Sequence, residues 1–250
     1  MTRVNPKIDI AFKKIFGVEE NKDLLISLIN SIVSKEDQVN EITLLNPYNI
    51  QSFKNDKLSI LDVKAKNKEG KRYNIEIQIA DEADYDKRAL YYWAKLYTEQ
   101  LKESEDYKIL NKAIGIHILN FTSITENDNY HNTFHVVEKE TKERYFKDLE
   151  LHTIELNKFK PKEITEVDQL LKKIKHPIDI WIAFLTKYDI LKKDNLPTII
   201  NKPELNKALN VIDRMSFDDE EKDAYEGRLK WIRMETGILD KEYELSLIHI

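Results

Sequence analysis

The chain of 250 residues contains no cysteine. Disulfides, cysteine-ligated zinc and thiol redox chemistry are therefore excluded. Glycine (5) and proline (6) are scarce, so mostly regular structure with few long loops is expected. No apolar run approaches the roughly 20 residues of a membrane-spanning helix, and the opening MTRVNPKIDIAFKK lacks the apolar centre of a signal peptide. A cytoplasmic location, with no membrane partner, is the default expectation. There is no GxxxxGK(S/T) and no GxGxxG, so nucleotide binding has no support. No Ser-His-Asp arrangement stands out.

What is there reads as a globular chain: 41% hydrophobic and 34% charged residues, a balance that disordered chains do not reach. The net charge of −5 speaks against non-specific coating of nucleic acid. The charge is uneven, however. Residues 51–72 carry seven basic and three acidic side chains, a net of +4, and residues 1–16 a net of +3. A Lys-rich solvated face explains this as well as a polyanionic partner does.

Apolar spacing predicts helices over 8–16 (Ile8, Phe12, Ile15, Phe16) and 21–33 (Leu24, Leu25, Leu28, Ile29, Ile32). Strand-like segments follow at 41–50, 57–66 and 72–80, with Asn46-Pro47 as a break or edge position. Residues 85–103 read as a helix and AIGIHILNF (113–121) as a buried strand, which together suggest a βαβ crossover. Further strands are expected at 133–137 and 149–156. After Pro161 the texture becomes helical. The last helix is expected to begin with a capping box of Ser216 and Asp219, and Gly227 counts against its running unbroken. Its acid-before-base pairs would suit a homo-oligomer. The final LSLIHI reads either as an apolar C-terminal strand or as a foreign tail resembling a translated transposon-end adapter.

The stretch LDVKAKNKEGKRYNIEIQIA (61–80) carries the chemistry. With 67–71 as a loop, antiparallel register sets residue 66 opposite 72 and Val63 opposite Ile75, so Asp62 falls opposite Glu76. Like charges directly opposite destabilise a sheet. A hard divalent cation would offset them: Mg²⁺ takes oxygen ligands and is commonly held by one or two carboxylates. Two solvated acids on an exposed face are the plainer explanation. His131 and His135 are four apart with Glu138 nearby, but strand and loop surroundings argue against a zinc site there.

Asp62, a turn and then Glu76-Ile77-Gln78 resembles the active-site hairpin of the PD-(D/E)xK nuclease superfamily. More narrowly, KIDIAFKKIFG (7–17), ILDVKAKNKEGKRYNIEIQ (60–78), KRALYYWAKLYTEQL (87–101) and AYEGRLKW (224–231) are similar to the Rpn family of recombination-promoting nucleases, a group of PD-(D/E)xK transposases. The resemblance implies a restriction-endonuclease-like αβββαβ core with a mixed sheet over 1–160, followed by a helical region over 161–244; residues 245–250 are then either the apolar end of the chain or the foreign tail named above.

It implies a Mg²⁺-dependent DNA endonuclease of recombination or transposition; the alternative is the same fold used as a non-cutting DNA- or protein-binding module. Asp62 and Glu76 would be metal ligands and the carbonyl of Ile77 a third. Gln78 stands where the superfamily has lysine; glutamine can orient water but contributes little charge. Asp9 would be an extra ligand, a water-positioner or a helix N-cap. Lys64 would assist catalysis or pair with Glu76. Arg88, Tyr92 and Lys95 share one helix face and would touch DNA, unless that aromatic stripe is core.

Overall fold

A computed structural model describes residues 3–48, 62–80 and 84–248, with side chains described as far as residue 232 and at 234. The expectations that fall on 49–61 and 81–83 lie outside the described residues.

The chain opens with α1 (Asp9–Phe16) and α2 (Lys22–Ile32), then β1 (Thr43–Leu44), β2 (Val63–Lys66) and β3 (Arg72–Gln78). Helix α3 (Tyr85–Thr98) leads to β4 (Ala113–Leu119), β5 (His131–His135) and β6 (Leu149–Glu155). Helices α4 (Val167–Lys173), α5 (Pro177–Lys187), α6 (Pro203–Arg214) and α7 (Asp219–Ile248) follow. The six strands form one mixed sheet in the order β1-β2-β3-β4-β6-β5. The α/β architecture with an αβββαβ core and C-terminal helices is therefore the one expected. β3 and β4 pair in parallel across α3, as a βαβ unit requires.

Alternation explains the layers. Val63 and Ala65 on β2, Tyr73, Ile75 and Ile77 on β3, and Ile114, Ile116 and Ile118 on β4 share one sheet face and are buried in the main core. Helices α1, α2, α5 and α6 supply the other half of that core through Phe12, Leu25, Leu28, Trp181, Phe184, Leu205 and Leu209. Residue 160, where the sequence texture changes, lies between β6 and α4, and the helices beyond it pack into this same core. The opposite sheet face presents Glu76, His117 and their neighbours to α3.

Several local expectations are corrected. Among the described residues, the strand predicted over 41–50 spans only Thr43–Leu44, and beyond it the side chain rather than the backbone of Asn46 takes the Lys64 N–H of β2. α3 ends at Thr98 rather than 103, where Gln100 turns to exchange bonds with Asn111. The capping box of the last helix is Asp218 with Glu221, not Ser216 with Asp219: Glu221 N donates to Asp218 Oδ1 (2.8 Å) and Asp218 N to Glu221 Oε2 (2.9 Å). Gly227 does not interrupt α7, which runs through residue 248, so no strand forms at 245–248. α7 is tied to α1 through buried Glu221, which accepts from Lys14 (2.8 Å) and Tyr48.

The hairpin that carries the two acids is fixed by its turn. Gly70 N donates to Asn67 O (3.2 Å), Asn67 N to Lys71 O (3.0 Å) and Lys71 N to Asn67 Oδ1 (2.8 Å). Gly70 sits at φ +88°, and a Cβ there would meet Asn111 Nδ2 at 2.6 Å. Left-handed backbone costs an L-residue about 1–2 kcal/mol. Gly70→Ala should therefore lower stability by at least about 1 kcal/mol in urea unfolding; an unchanged midpoint would show that the turn does not hold the register.

Candidate active site

The β2–β3 ladder pairs Val63 with Ile75 and Lys66 with Arg72. Continued one step beyond Val63, this pairing would set Asp62 level with Glu76 on the α3 side of the sheet. Along β3 the carbonyl of Gln78 accepts from Asn120 N on the β4 side (2.9 Å). Successive carbonyls alternate, so that of Ile77 faces the β2 side, from which Asp62 enters. Two carboxylates and one backbone oxygen are thus directed to one end of the hairpin.

Each acid has its own cations. Asp62 O accepts from Lys13 Nζ and from Asn46 Nδ2 (3.2 Å), which also reaches Asp62 Oδ1 (3.2 Å). Asn46 Oδ1 accepts from Lys64 N (2.7 Å), so one amide clamps both residues flanking Val63. Lys64 Nζ lies 3.9 Å from Asp62 Oδ2 and 3.7 Å from Glu99 Oε2. Burial pushes the Asp62 carboxyl above its usual range, although Lys64 and Lys13 draw it down. Lys13 is itself fully buried; burial lowers its ammonium to about 8, with Asp62 opposing the shift and Lys64 adding to it. Its stem lies where a side chain at Gly17 would sit: a Cβ there would be 2.9 Å from Lys13 Cδ.

Glu76 stands beside His117 in the β3–β4 ladder, and His117 beside Thr153 in the β4–β6 ladder. Arg88 on α3 donates from Nη2 to Glu76 Oε1 (2.9 Å) and to Gln78 Oε1 (2.7 Å). Gln78 also donates from Nε2 to Ala80 O (3.3 Å). Tyr85 OH is 2.8 Å from His117 Nδ1, which lies 3.9 Å from Glu76 Oε2. Burial, with Arg88 and His152 nearby, lowers the His117 imidazole to about 4, so it is neutral at neutral pH.

The other sequence candidates are placed as follows. Asp9 is the first residue of α1; Ile8 holds the N-cap position. Asp9 accepts from Ile10 N (2.9 Å) and pairs with Arg228 Nε on α7 (3.1 Å). It lies one helical turn before Lys13 and so on the same face of α1. Arg88 turns inward to the acids, whereas Tyr92 is half-buried beside Tyr91 and Lys95 lies 4.0 Å from Glu99. Trp93 and Tyr97 stack on each other, and Trp93 Nε1 donates to Ala113 O (2.8 Å).

The hairpin's outer lysines are paired with acids: Lys68 with Glu41 (2.6 Å) and Lys71 with Asp37 (2.6 Å). His131 and His135 do not form a metal pair. His131 bonds to His152 (3.0 Å) and His135 to Glu150 (2.7 Å), a buried carboxylate also held by Lys112 and Arg144.

Sequence reasoning missed Lys13, Asn46, Tyr85 and His117. Lys13 sits on an apolar helix, and nothing in its spacing says that it crosses to the hairpin. His117 could have been noticed as the one polar residue in a seven-residue strand that is otherwise apolar or glycine.

The donor set fits a hard divalent cation: oxygen atoms only, one carboxyl burdened by burial, and a second already held by a cation that a metal could replace. Among the described residues no cluster of three or more His, Cys, Asp or Glu side chains accompanies them, so backbone oxygen and water would complete any coordination shell.

The raised Asp62 carboxyl has a stability consequence. An acid whose folded pKa is raised costs stability above its unfolded pKa, and the cost fades as pH falls. Without divalent cation, Asp62→Asn should thus melt higher than wild type at pH 7, with the difference shrinking towards pH 4. Mg²⁺ should raise the melting temperature of wild type and not of the variant. Equal Mg²⁺ responses would remove Asp62 from the metal site.

No curated protein and no solved structure matches the chain. The family model of PD-(D/E)XK nuclease family transposases matches residues 6–242, a span that holds both acids of the hairpin, helix α3 and most of α7. Nucleases of this superfamily are in general dependent on divalent metal, and the family gives the chain a nuclease-like role in transposition or recombination. The chain belongs to the PD-(D/E)XK nuclease family transposases.

Proposed function

We propose that the protein is a Mg²⁺-dependent DNA endonuclease whose centre is the Asp62–Glu76 end of the β2–β3 hairpin. The observation that supports this reading is the ladder register, Val63 with Ile75, which continued by one step would set the two carboxylates level on one sheet face within a chain of the nuclease family.

Asp62, Glu76 and the carbonyl of Ile77 are the residues that would hold the metal. When bound, Mg²⁺ supplies a water of lowered pKa and charge compensation at the phosphorus centre. Gln78 orients water through its amide. Asn46 and Lys13 fix the Asp62 backbone, so the carboxylate does not have to be ordered when substrate arrives. His117, neutral and tied to Tyr85, backs Glu76 without adding charge. In the reaction the water oxygen bonds to phosphorus, one phosphorus–oxygen ester bond breaks, and the leaving oxygen takes up a proton.

DNA would lie across α3 and the mouth of the hairpin. Lys64 and Lys95, together with Tyr92, line that side, and exposed Tyr91 extends it. Phosphate contacts of this kind position a duplex without reading its sequence. Asp9 is held by Arg228, so we assign it to the support of α1 against α7 with a second role as water-positioner if that pair opens.

The non-cutting alternative has one observation in its favour, the neutral Gln78 in place of lysine. Cleavage separates the two. Purified protein should cut duplex DNA when Mg²⁺ is present, and Asp62→Ala and Glu76→Ala should each lose about two orders of magnitude or more in rate, the scale of removing a preorganised electrostatic group. DNA binding with no cleavage, unchanged in both variants, would establish the binding module instead.

A further inference from the structure

We infer that Arg88 supplies, at the scissile phosphate, the positive charge that Gln78 cannot. The inference rests on the nuclease reading above and deepens it. Gln78 is buried at the motif's lysine position, and its Oε1 accepts from Arg88 Nη2 at 2.7 Å. The same nitrogen bonds Glu76 Oε1 at 2.9 Å. A guanidinium delivered by the crossover helix therefore stands at the end of the Gln78 side chain, about where a lysine ammonium from β3 would reach.

The position is built rather than incidental. The guanidinium lies over the Tyr85 ring, 5.4 Å from its centroid, and Tyr85 is anchored through its hydroxyl to buried His117. Tyr85 and Arg88 are three apart on α3 and so share a face. The Arg88 side chain remains 28% exposed, enough to meet a substrate while touching the buried amide. Arginine stays charged at any working pH. Its five N–H donors form a planar fork, so a bond to Gln78 is compatible with a bidentate grip on phosphate oxygens.

The other cations of the hairpin suit the role less well. Lys13 is fully buried and committed to the Asp62 carbonyl, and Lys64 lies between Asp62 and Glu99. During hydrolysis negative charge grows on the non-bridging phosphate oxygens as water adds to phosphorus and the ester bond breaks. A fixed cation there lowers the barrier more than it tightens ground-state binding.

The test is a swap of charge between two positions. Arg88→Ala should cut DNA about 10²–10³-fold more slowly in kcat, while its Kd for duplex DNA in the absence of divalent cation changes less than about threefold. The double variant Q78K/R88A, which returns a cation from β3, should recover at least tenfold over R88A. If R88A melts early, R88Q gives the same comparison, since it keeps hydrogen bonding and loses only the charge.

Three results would overturn the inference while leaving the nuclease reading intact. These are R88A cutting as fast as wild type, a rate loss matched by an equal loss of DNA affinity, or a folded Q78K/R88A no faster than R88A. A wild type that does not cut would overturn both.

Discussion

A carboxylate set on a sheet face beneath a helix requires a cation, and in this chain the supply of cations to Asp62 and Glu76 orders everything around them. Lys13 comes from the side of α1 to bond the Asp62 carbonyl, Lys64 lies beside the Asp62 carboxylate, and Arg88 holds Glu76 from the side of α3. The two helices lie on opposite sides of the sheet, yet each sends one basic side chain to the same end of one hairpin. The apolar face of that hairpin, Val63, Ala65, Tyr73, Ile75 and Ile77, is buried against helices from both halves of the chain. Shifting the register by one residue would turn those side chains to α3 and bury the acids in the core. The cost of burying them unpaired favours the observed register, and that register, continued by one step, would bring the acids together.

The same arrangement relates stability to chemistry. Burial raises the Asp62 carboxyl, so its charged form is a burden to the fold that a bound cation would relieve. Glu76 is already paired with Arg88, which aims it before any metal arrives. On metal binding one acid would therefore gain a cation and the other would exchange one cation for another. Preorganisation of this kind comes from the supporting residues, Asn46, Lys13, Tyr85 and His117, as much as from the acids.

Much of this was legible in the sequence because strands obey a period of two. The alternation in 72–78 and the loop length of 67–71 gave the ladder pairing, and the order of helices and strands gave the αβββαβ core. The acids were visible because they interrupt apolar runs. Long-range partners were not. That Lys13 reaches Asp62, 49 residues away, or that Asp9 meets Arg228, 219 away, depends on how helices pack, and no local pattern encodes it. Arg88 shares a helix face with Tyr92 and Lys95, but that its guanidinium also reaches Glu76 and Gln78 depends on how α3 packs over β3 and β4. The capping box shifted by two residues because Asp218 and Glu221 form a reciprocal pair that the spacing of Ser216 and Asp219 also mimics.

The central claim is that Asp62 and Glu76 hold one divalent cation between them. Anomalous scattering from crystals grown with Mn²⁺ tests it most directly. The account predicts one Mn²⁺ peak bridging the two carboxylates, with the Ile77 carbonyl directed to it and Arg88 withdrawn from Glu76 but still bonded to Gln78. A peak elsewhere, or none with the Arg88–Glu76 pair undisturbed, would contradict it.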